Sequence, residues 1–297
     1  MNINNNERNL EGFLYLNPNN TVTQWNIARG TFNSASIYHS HPDNSSLLSV
    51  SMVDMLANNH NRLFAEVQIE NIRKLYYPDC ISRLNGLFIF DTPEDALNVM
   101  NEENWGATQL CEEDLTDVGA AIRRSSRHDS NWIPLIFNEN FQLNEDWQTH
   151  THQYWKGESV PNKQPIWELI IDGTITVWGT ELRHTVLKNM QEVTYDVFKD
   201  SLDLLAYSIN AAHMGSSDGE CVAFLLNTNE TTSIQYFMKL SDKDNPEFLQ
   251  SMLAYFTENP SLFCRLGKDE NWIMPDMSRF EIILSDEVIR RPHDLSN

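Results

Sequence analysis

Two kinds of ionisable side chain stand where their chemistry could be used. The first is the carboxylate of Glu168, in the otherwise mostly apolar run WELIIDG. Burying an unpaired carboxylate is strongly unfavourable, so we expect Glu168 to point either to water or into a site. The second is the imidazole pair of His39 and His41 in SASIYHSH. A carboxylate beside a sugar stabilises oxocarbenium character, and paired imidazoles are common zinc ligands.

The elements that would position these side chains are predicted to be strands. SASIYHSH is rich in strand-forming residues and ends at Pro42, so both imidazoles are expected on one side of a strand end. Segments 166–171 and 174–178 flank an Asp-Gly dipeptide, which is typical of two-residue hairpins. Glu168 is therefore expected on the first strand of a hairpin.

Helices are predicted where apolar residues recur at spacings of three, four and seven. This pattern places helices between residues 47 and 76, with a break around 58–61. Thr92 before Pro93 is expected to cap another helix. The remaining predicted elements of this part are a strand over 87–90, a helix over 114–127, and a loop region of about twenty-five residues with a short strand over 133–137 inside it. His150 and His152 are expected to be solvent-exposed in a polar loop.

The pattern changes near residue 185, and the sequence from there predicts an appended α+β lobe. Its expected elements are a long helix over 185–212, strands over 221–226 and 233–240, a helix over 246–258 and a strand over 279–284. The predicted organisation is a flexible N-terminus over 1–12, a first domain over 13–185 and the C-terminal lobe over 186–297. The fold class expected from this order of elements is α+β.

Three segments together carry a resemblance to a known family. They are Ile37-Tyr38-His39, the run PDCISRLNGLFIFDTPEDA over 78–96, and YWKG over 154–157 followed by IWELIIDG over 166–173. In that order they resemble the three sequence regions of the ADP-ribosyltransferase superfamily, and specifically its small bacterial members of formerly unknown function. The resemblance covers roughly residues 13–180. It implies a core of split antiparallel β-sheet with helices, and NAD as the substrate with no metal.

The resemblance also implies roles for individual residues. Glu168 would be the catalytic acid that stabilises the oxocarbenium-like ribose, and His39 would hold a ribose hydroxyl of NAD. Ser82 would help to shape the nicotinamide slot, with Arg83 as a clamp on the pyrophosphate. The aromatic side chains expected to form the wall against the cationic nicotinamide ring are Tyr38, Tyr154 and Trp155.

Two departures from the family pattern narrow the expected activity. The position two residues before Glu168 is Ile166, whereas relatives that modify arginine usually carry a second acid there. The second-strand tyrosine of one class is also missing from SRLNGLFIF. The implied activity is transfer of ADP-ribose to a macromolecular acceptor, protein or nucleic acid, with protein arginine an unfavoured target. The resemblance fits a toxin or antiviral effector that an inhibitory partner protein could hold inactive.

Two alternatives stay open. His39-Ser40-His41-Pro42 is similar to the His-x-His motif of zinc-dependent isopeptidases, and Ser49 stands at the expected distance from the second histidine. Met52 then occupies the position where those enzymes need an aspartate ligand. The other alternative is a non-enzymatic interaction protein on a degenerate transferase fold, whose acidic surface binds a basic partner.

Composition limits the possible partners and compartments. The chain has 297 residues, with 21 basic and 42 acidic side chains, and a net charge of −21. This charge repels phosphate backbones and anionic membranes, so generic nucleic-acid binding is not expected unless a local basic patch reverses the field. The four cysteines are widely spaced and predicted to be reduced. No signal peptide, membrane span or Gly-rich phosphate loop is evident, so we expect a cytoplasmic protein without a Rossmann fingerprint.

Overall fold

The protein is an α+β structure with two antiparallel β-sheets, which confirms the predicted class. The computed structural model describes residues 8–35, 47–56, 60–100, 115–192, 202–227, 231–265 and 288–290. The strands are β1 (Arg8–Tyr15), β2 (Thr31–Asn33), β3 (Leu47–Leu48), β4 (Leu87–Ile89), β5 (Leu115–Asp129), β6 (Trp167–Val177), β7 (Cys221–Asn227), β8 (Thr231–Met238) and β9 (Val288–Arg290). The helices are α1 (Thr21–Arg29), α2 (Val50–Leu56), α3 (His60–Tyr76), α4 (Pro93–Met100), α5 (Ile133–Ile136), α6 (Trp147–Lys156), α7 (Thr180–Glu192), α8 (Leu202–His213) and α9 (Pro246–Glu258).

The first sheet is organised around the long strands β5 and β6. Strand β5 pairs with β1 on one edge and with β6 on the other, while β2 and β4 share the free edge of β6. Two backbone hydrogen bonds between Phe13 and Phe90 connect the edges, so β1, β5, β6 and β4 form a closed circuit. This closure leaves few unpaired edges among the described strands of the sheet.

The second sheet connects the two parts of the chain. Its order is β3-β7-β8-β9, so a strand from the first hundred residues pairs with strands that follow residue 220. Helix α1 packs on α7 and α8, and Trp25 Nε1 donates to the carbonyl of Gly219 at 2.7 Å. The predicted boundary at 185 stays a prediction, but the two parts share this sheet and one hydrophobic core.

Many elements form where the sequence predicted them. Helices α2 and α3 lie on either side of the predicted break, and α9 has the predicted bounds. Helix α4 begins at Pro93, with Thr92 Oγ1 accepting from the backbone N–H of Asp95 as the predicted cap. Strands β4, β7 and β8 are also confirmed. The predicted strand over 279–284 lies outside the described residues, and so do residues 36–41 of the strand predicted over 34–41, whose first two residues are not in a strand.

Three predictions of local structure are wrong. Residues 115–129 form β5 instead of a helix, because this segment hydrogen-bonds to strands on both of its edges. Residues 133–136 form a turn of helix instead of a strand, with Pro134 in its first turn. His150 and His152 lie on α6 and are half-buried, whereas a solvent-exposed loop was expected.

The predicted hairpin at Asp172-Gly173 is also wrong, because β6 runs without interruption through both residues. Gly173 faces the irregular stretch of β5 between Ile122 and Arg124, where the pairing register shifts. A Cβ atom at Gly173 would lie 2.3 Å from the carbonyl oxygen of Ala121. The glycine therefore allows a close approach of two backbones and does not form a turn.

Replacing Gly173 with alanine is expected to destabilise the protein by about 1–3 kcal/mol, because the added methyl group meets backbone that must shift. Urea denaturation followed by circular dichroism measures this change. Gly179→Ala is the control, because its added Cβ would meet only ordinary contacts, the nearest at 3.6 Å. Equal stability of the two variants would contradict the proposed close approach.

Candidate functional site

Helix α3 presents a row of charged side chains to the interior of the protein. Arg62, Glu66, Glu70 and Arg73 follow one another at spacings of four, four and three residues, which places them on one helix face. Arg62 and Glu66 are fully buried, and Glu70 is nearly so. Phe64, an apolar residue of the same helix, is 45% exposed. The buried face of this helix is thus partly ionic.

Arg83 connects this helix face to the first sheet. Its Nε donates to Glu66 Oε2 at 2.9 Å, and its Nη2 donates to Glu66 Oε1 at 3.2 Å. Arg62 Nε donates to Glu66 Oε1 at 2.9 Å, so two guanidinium groups share one carboxylate. The fork of Arg83 is fixed by this two-point contact, and its remaining nitrogen points toward β6.

Glu168, on β6, accepts a hydrogen bond from that remaining nitrogen of Arg83. Arg83 Nη1 donates to Glu168 Oε1 at 2.9 Å and to the Tyr154 hydroxyl at 2.7 Å. The hydroxyl of Tyr154, on α6, donates to the same Glu168 oxygen. Glu168 is 0% exposed, so of the two expected alternatives it does not point to water, and it points into a buried polar cluster. We call Arg62, Glu66, Arg83, Tyr154 and Glu168 the buried charge cluster.

The buried charge cluster contains equal numbers of positive and negative groups, and the pKa shifts follow from that pairing. Burial lowers the pKa of Arg62 to about 10, against the opposing effect of Glu66. Burial also acts to lower the pKa of Arg83, but Glu66, Tyr154 and Glu168 outweigh it and raise that pKa. Burial raises the pKa of Glu66, whereas Arg83 and Arg62 together bring it below its usual value. The charged forms of Arg83 and Glu66 are therefore stabilised by their neighbours, whereas burial outweighs the neighbours at Arg62.

Aromatic rings surround the cationic members of the cluster. The guanidinium carbon of Arg62 lies 4.5 Å from the centroid of the Phe137 ring and 5.0 Å from that of Phe141. The guanidinium of Arg83 lies 4.8 Å from the Phe88 ring. Positively charged groups over aromatic faces gain further electrostatic stabilisation when water is excluded.

His128 adds a neutral imidazole beside the cluster. It lies opposite Glu168 in the β5–β6 pair, and its ring stacks on Tyr154 with centroids 4.5 Å apart. Its Nδ1 lies 2.8 Å from the carbonyl of Tyr154, which can only accept, so Nδ1 carries the proton. Burial is the main cause that lowers the pKa of His128 to about 3, and Arg83 adds to it. Its Nε2 is buried without a hydrogen-bond partner among the described residues.

Glu70, the next charged residue along the buried face of α3, is the centre of a second set of polar contacts. Ser82 Oγ donates to Glu70 Oε2 at 2.9 Å, and Arg73 binds both oxygens of the same carboxylate. Arg73 Nη1 also donates to the carbonyl of Cys80 at 2.8 Å. The segment that carries Ser82 and Arg83 is thereby bound to α3 at two adjacent carboxylates.

The structure brings together five of the seven residues that the sequence singled out. Glu168, Arg83 and Tyr154 are in direct contact; Ser82 lies next to Arg83, and Trp155 packs edge-on against Tyr154 at 4.9 Å. Tyr38 and His39 lie outside the described residues, as does His41. Within the described part of the chain, no group of three or more potential ligand side chains could hold a metal ion.

Sequence reasoning missed Arg62, Glu66 and His128. The opposite charges at spacings of three and four residues on α3 were a visible signal, but the same spacing is usual on a solvated helix face. His128 lies in a segment that was predicted to begin a loop, so nothing indicated that it faces Glu168.

A cavity of about 760 Å³ lies elsewhere, at the N-terminal end of β5, whereas His128 lies near the C-terminal end of that strand. Its lining residues are Glu11, Gly12, Phe13, Asp91, Leu115, Asp117, Val118 and Trp178. The buried charge cluster does not contribute to this cavity. Because Glu168 is 0% exposed, chemistry at its carboxylate requires that the side chains covering it move.

Helices and cysteines add two further observations. Among the helices that the structure describes, none combines the length and apolar character needed to cross a membrane. Cys80, Cys221 and Cys264 are free thiols, and burial raises their pKa values to about 11, 12 and 11. A raised thiol pKa disfavours the nucleophilic thiolate.

Comparison with known proteins places the chain in a family. No curated protein matches the sequence. A family model described as "Protein of unknown function (DUF2441)" matches residues 3–185, which is more than half of the chain and includes every member of the buried charge cluster. The chain therefore belongs to the DUF2441 family.

Proposed function

We propose that this protein is an NAD-dependent ADP-ribosyltransferase in which Glu168 is the catalytic carboxylate. The observation that carries the proposal is the convergence of Arg83 and Tyr154 on one oxygen of Glu168. These three residues belong to the segments that resemble the transferase superfamily, and the α+β fold with antiparallel sheets is compatible with that resemblance. The acceptor is a macromolecule, and a toxin or antiviral role fits this chemistry.

The proposed reaction breaks the bond between ribose C1′ and the nicotinamide nitrogen of NAD. Nicotinamide leaves with the bonding electrons, and positive charge develops on the ribose. Glu168 stabilises this charge, and a nucleophilic atom of the acceptor then bonds to C1′. Arg83 and Tyr154 hold the carboxylate in one orientation, which is the preorganisation that such stabilisation needs. His39 retains its implied role of binding a ribose hydroxyl.

Burial sets one condition on this mechanism. The side chains of Glu168 and Tyr154 are 0% exposed, so NAD reaches the carboxylate only after a local opening. Closure around the bound substrate would then exclude water, which strengthens the electrostatic effect of Glu168.

Replacing Glu168 with glutamine is expected to reduce nicotinamide release from NAD by about a hundredfold or more, because the amide cannot stabilise a developing cation in the same way. The measurement is chromatographic detection of nicotinamide, with mass spectrometry of ADP-ribose on cellular protein and RNA. Glu258→Gln, an exposed glutamate on α9, is the matched control and keeps full activity. Release that is unaffected by Glu168→Gln would overturn the assignment.

The complete burial of Glu168 favours a second candidate, a non-enzymatic acidic interaction protein. In that case the buried charge cluster serves only to hold α3, α6 and β6 together, and the chain with its net charge of −21 binds a basic partner. This candidate predicts no nicotinamide release from wild-type protein under any condition. It also predicts that binding of the basic partner weakens with added salt.

A further inference from the structure

An irregularity in β5 places two arginines beside one carboxylate. Ile122 pairs with Gly173, and Arg124 pairs with Asp172, so Arg123 is the extra residue of a β-bulge. Arg123 Nη2 donates to Asp172 Oδ1, and Arg124 Nε donates to Asp172 Oδ2 at 3.3 Å. Bulges commonly redirect side chains near functional sites. This one directs two consecutive residues to the same partner.

The local charge at this position is opposite to that of the chain. Among the described residues, these two guanidinium groups pair with the single carboxylate of Asp172, which leaves an excess of one positive charge within this group of three in a protein of net charge −21. Asp172 is also held by Ser34, whose hydroxyl donates to Oδ1 at 2.8 Å. The arginine side chains are 36% and 47% exposed, so an anion in solution can reach them.

Hydrogen-bonding capacity remains on these side chains. Each guanidinium has five N–H donors, whereas each of the two has one hydrogen bond to Asp172. The Nε of Arg123 is buried and has no acceptor among the described residues. That nitrogen is closed to solvent, so an anion would bind through the exposed parts of the two guanidinium groups, whose other N–H donors supply the hydrogen bonds.

We propose that Arg123 and Arg124 form a binding site for a phosphate group of a small phosphorylated molecule. The planar forks of two adjacent arginines match the several acceptor oxygens of phosphate, and phosphate supplies the negative charge that Asp172 alone does not. The site goes beyond the proposed transferase function, because it involves neither Glu168 nor the breaking of a bond. Its binding can be measured on the full chain in the absence of NAD.

The test is isothermal titration calorimetry of the full-length protein with inorganic phosphate, AMP and adenosine at low ionic strength. Arg124→Gln is expected to weaken binding of phosphate and AMP at least about tenfold, because hydrogen bonds to a charged group are lost. Asp172→Asn is expected to tighten binding, since it removes the competing carboxylate and retains an oxygen for Ser34. Tighter binding of AMP than of phosphate identifies a nucleotide source, and equal binding identifies the free ion.

Arg127→Gln is the matched control. This arginine lies on the same strand and is exposed, but its guanidinium packs over the Trp167 ring at 4.4 Å and makes no hydrogen bond to Asp172. It is expected to change phosphate affinity by no more than about twofold from that of wild type, because the effect of a distant charge is screened. The proposal is overturned by three results: an equal loss in Arg127→Gln and Arg124→Gln, binding of adenosine as tight as that of AMP, or no gain in Asp172→Asn.

Discussion

Replacing Arg83 with methionine is expected to destabilise the protein by about 3–5 kcal/mol. Methionine fills most of the volume but removes the charge that compensates two buried carboxylates. Glu168 would keep only the Tyr154 hydroxyl among the partners described above, and Glu66 would keep Arg62. Removing one member of a buried ion network destabilises a protein by more than the whole network stabilises it, because desolvated charges are left unpaired. Urea denaturation at pH 7 measures the loss.

A matched variant separates this effect from the general loss of an arginine. Arg124→Met removes an ion pair whose arginine is 47% exposed, and exposed pairs contribute about 0–1 kcal/mol. In the double variant Arg83→Met/Glu168→Gln, part of the lost stability is expected to return, because the amide needs no counter-charge. Equal losses for Arg83→Met and Arg124→Met, or no recovery in the double variant, would show that the cluster is not the cause.

These measurements also bear on the two candidate functions. If Glu168 is catalytic, Glu168→Gln strongly reduces nicotinamide release in protein that still unfolds cooperatively. If the carboxylate is only structural, the same substitution changes stability and there is no release to lose. Activity and unfolding measured on the same preparation therefore distinguish a catalytic glutamate from a structural one.

The sequence predicted the elements whose patterns are local. Helix α9 has a proline at its start and a regular apolar stripe, and α4 has a capping threonine. Such signals act within a few residues and need no knowledge of the rest of the chain. Strand β5 is different, because its stability comes from pairing with β1 and β6, which lie far away in sequence. Non-local pairing overrode the local pattern there.

The candidate site was predictable in part for the same reason. Glu168 was identifiable because an acid in an apolar strand demands a partner, and that partner is Arg83. The contributions of Arg62 and Glu66 were not identifiable, because helix α3 has apolar residues on more than one face. Leu63 and Ile69 are buried while Phe64 is exposed, so hydrophobicity alone did not show which face enters the core.

Acidification from pH 7 to pH 5 is expected to destabilise the protein by about 2 kcal/mol through His128 alone. Burial lowers the pKa of His128 to about 3 in the folded state, whereas an unfolded histidine titrates at a pKa of about 6.5. Below pH 6.5 the unfolded chain therefore binds a proton at His128, whereas His128 in the folded protein stays neutral. Stability falls by about 1.4 kcal/mol for each pH unit until the folded pKa is reached.

The choice of pH range separates His128 from the carboxylates. The pKa of Glu66 is lowered, because Arg83 and Arg62 outweigh the opposing effect of burial, so its stabilising contribution is lost only as the pH falls below about 4.5. His213, whose pKa is lowered by burial, acts with the same sign as His128 but is less buried. Between pH 5 and pH 7, the largest change is therefore expected from His128.

His128→Phe tests this assignment directly. Phenylalanine can stack on Tyr154 but cannot donate to its carbonyl, so the variant is expected to be less stable than wild type at pH 7 by about 1–2 kcal/mol. Because phenylalanine does not titrate, this difference should shrink or reverse by pH 5. His150→Phe, which replaces a half-buried histidine on α6, is the control. Its free energy of unfolding should depend on pH in the same way as that of wild type. Denaturation curves at four pH values decide between these outcomes, and a His128→Phe slope as steep as that of wild type would place the acid sensitivity in another group.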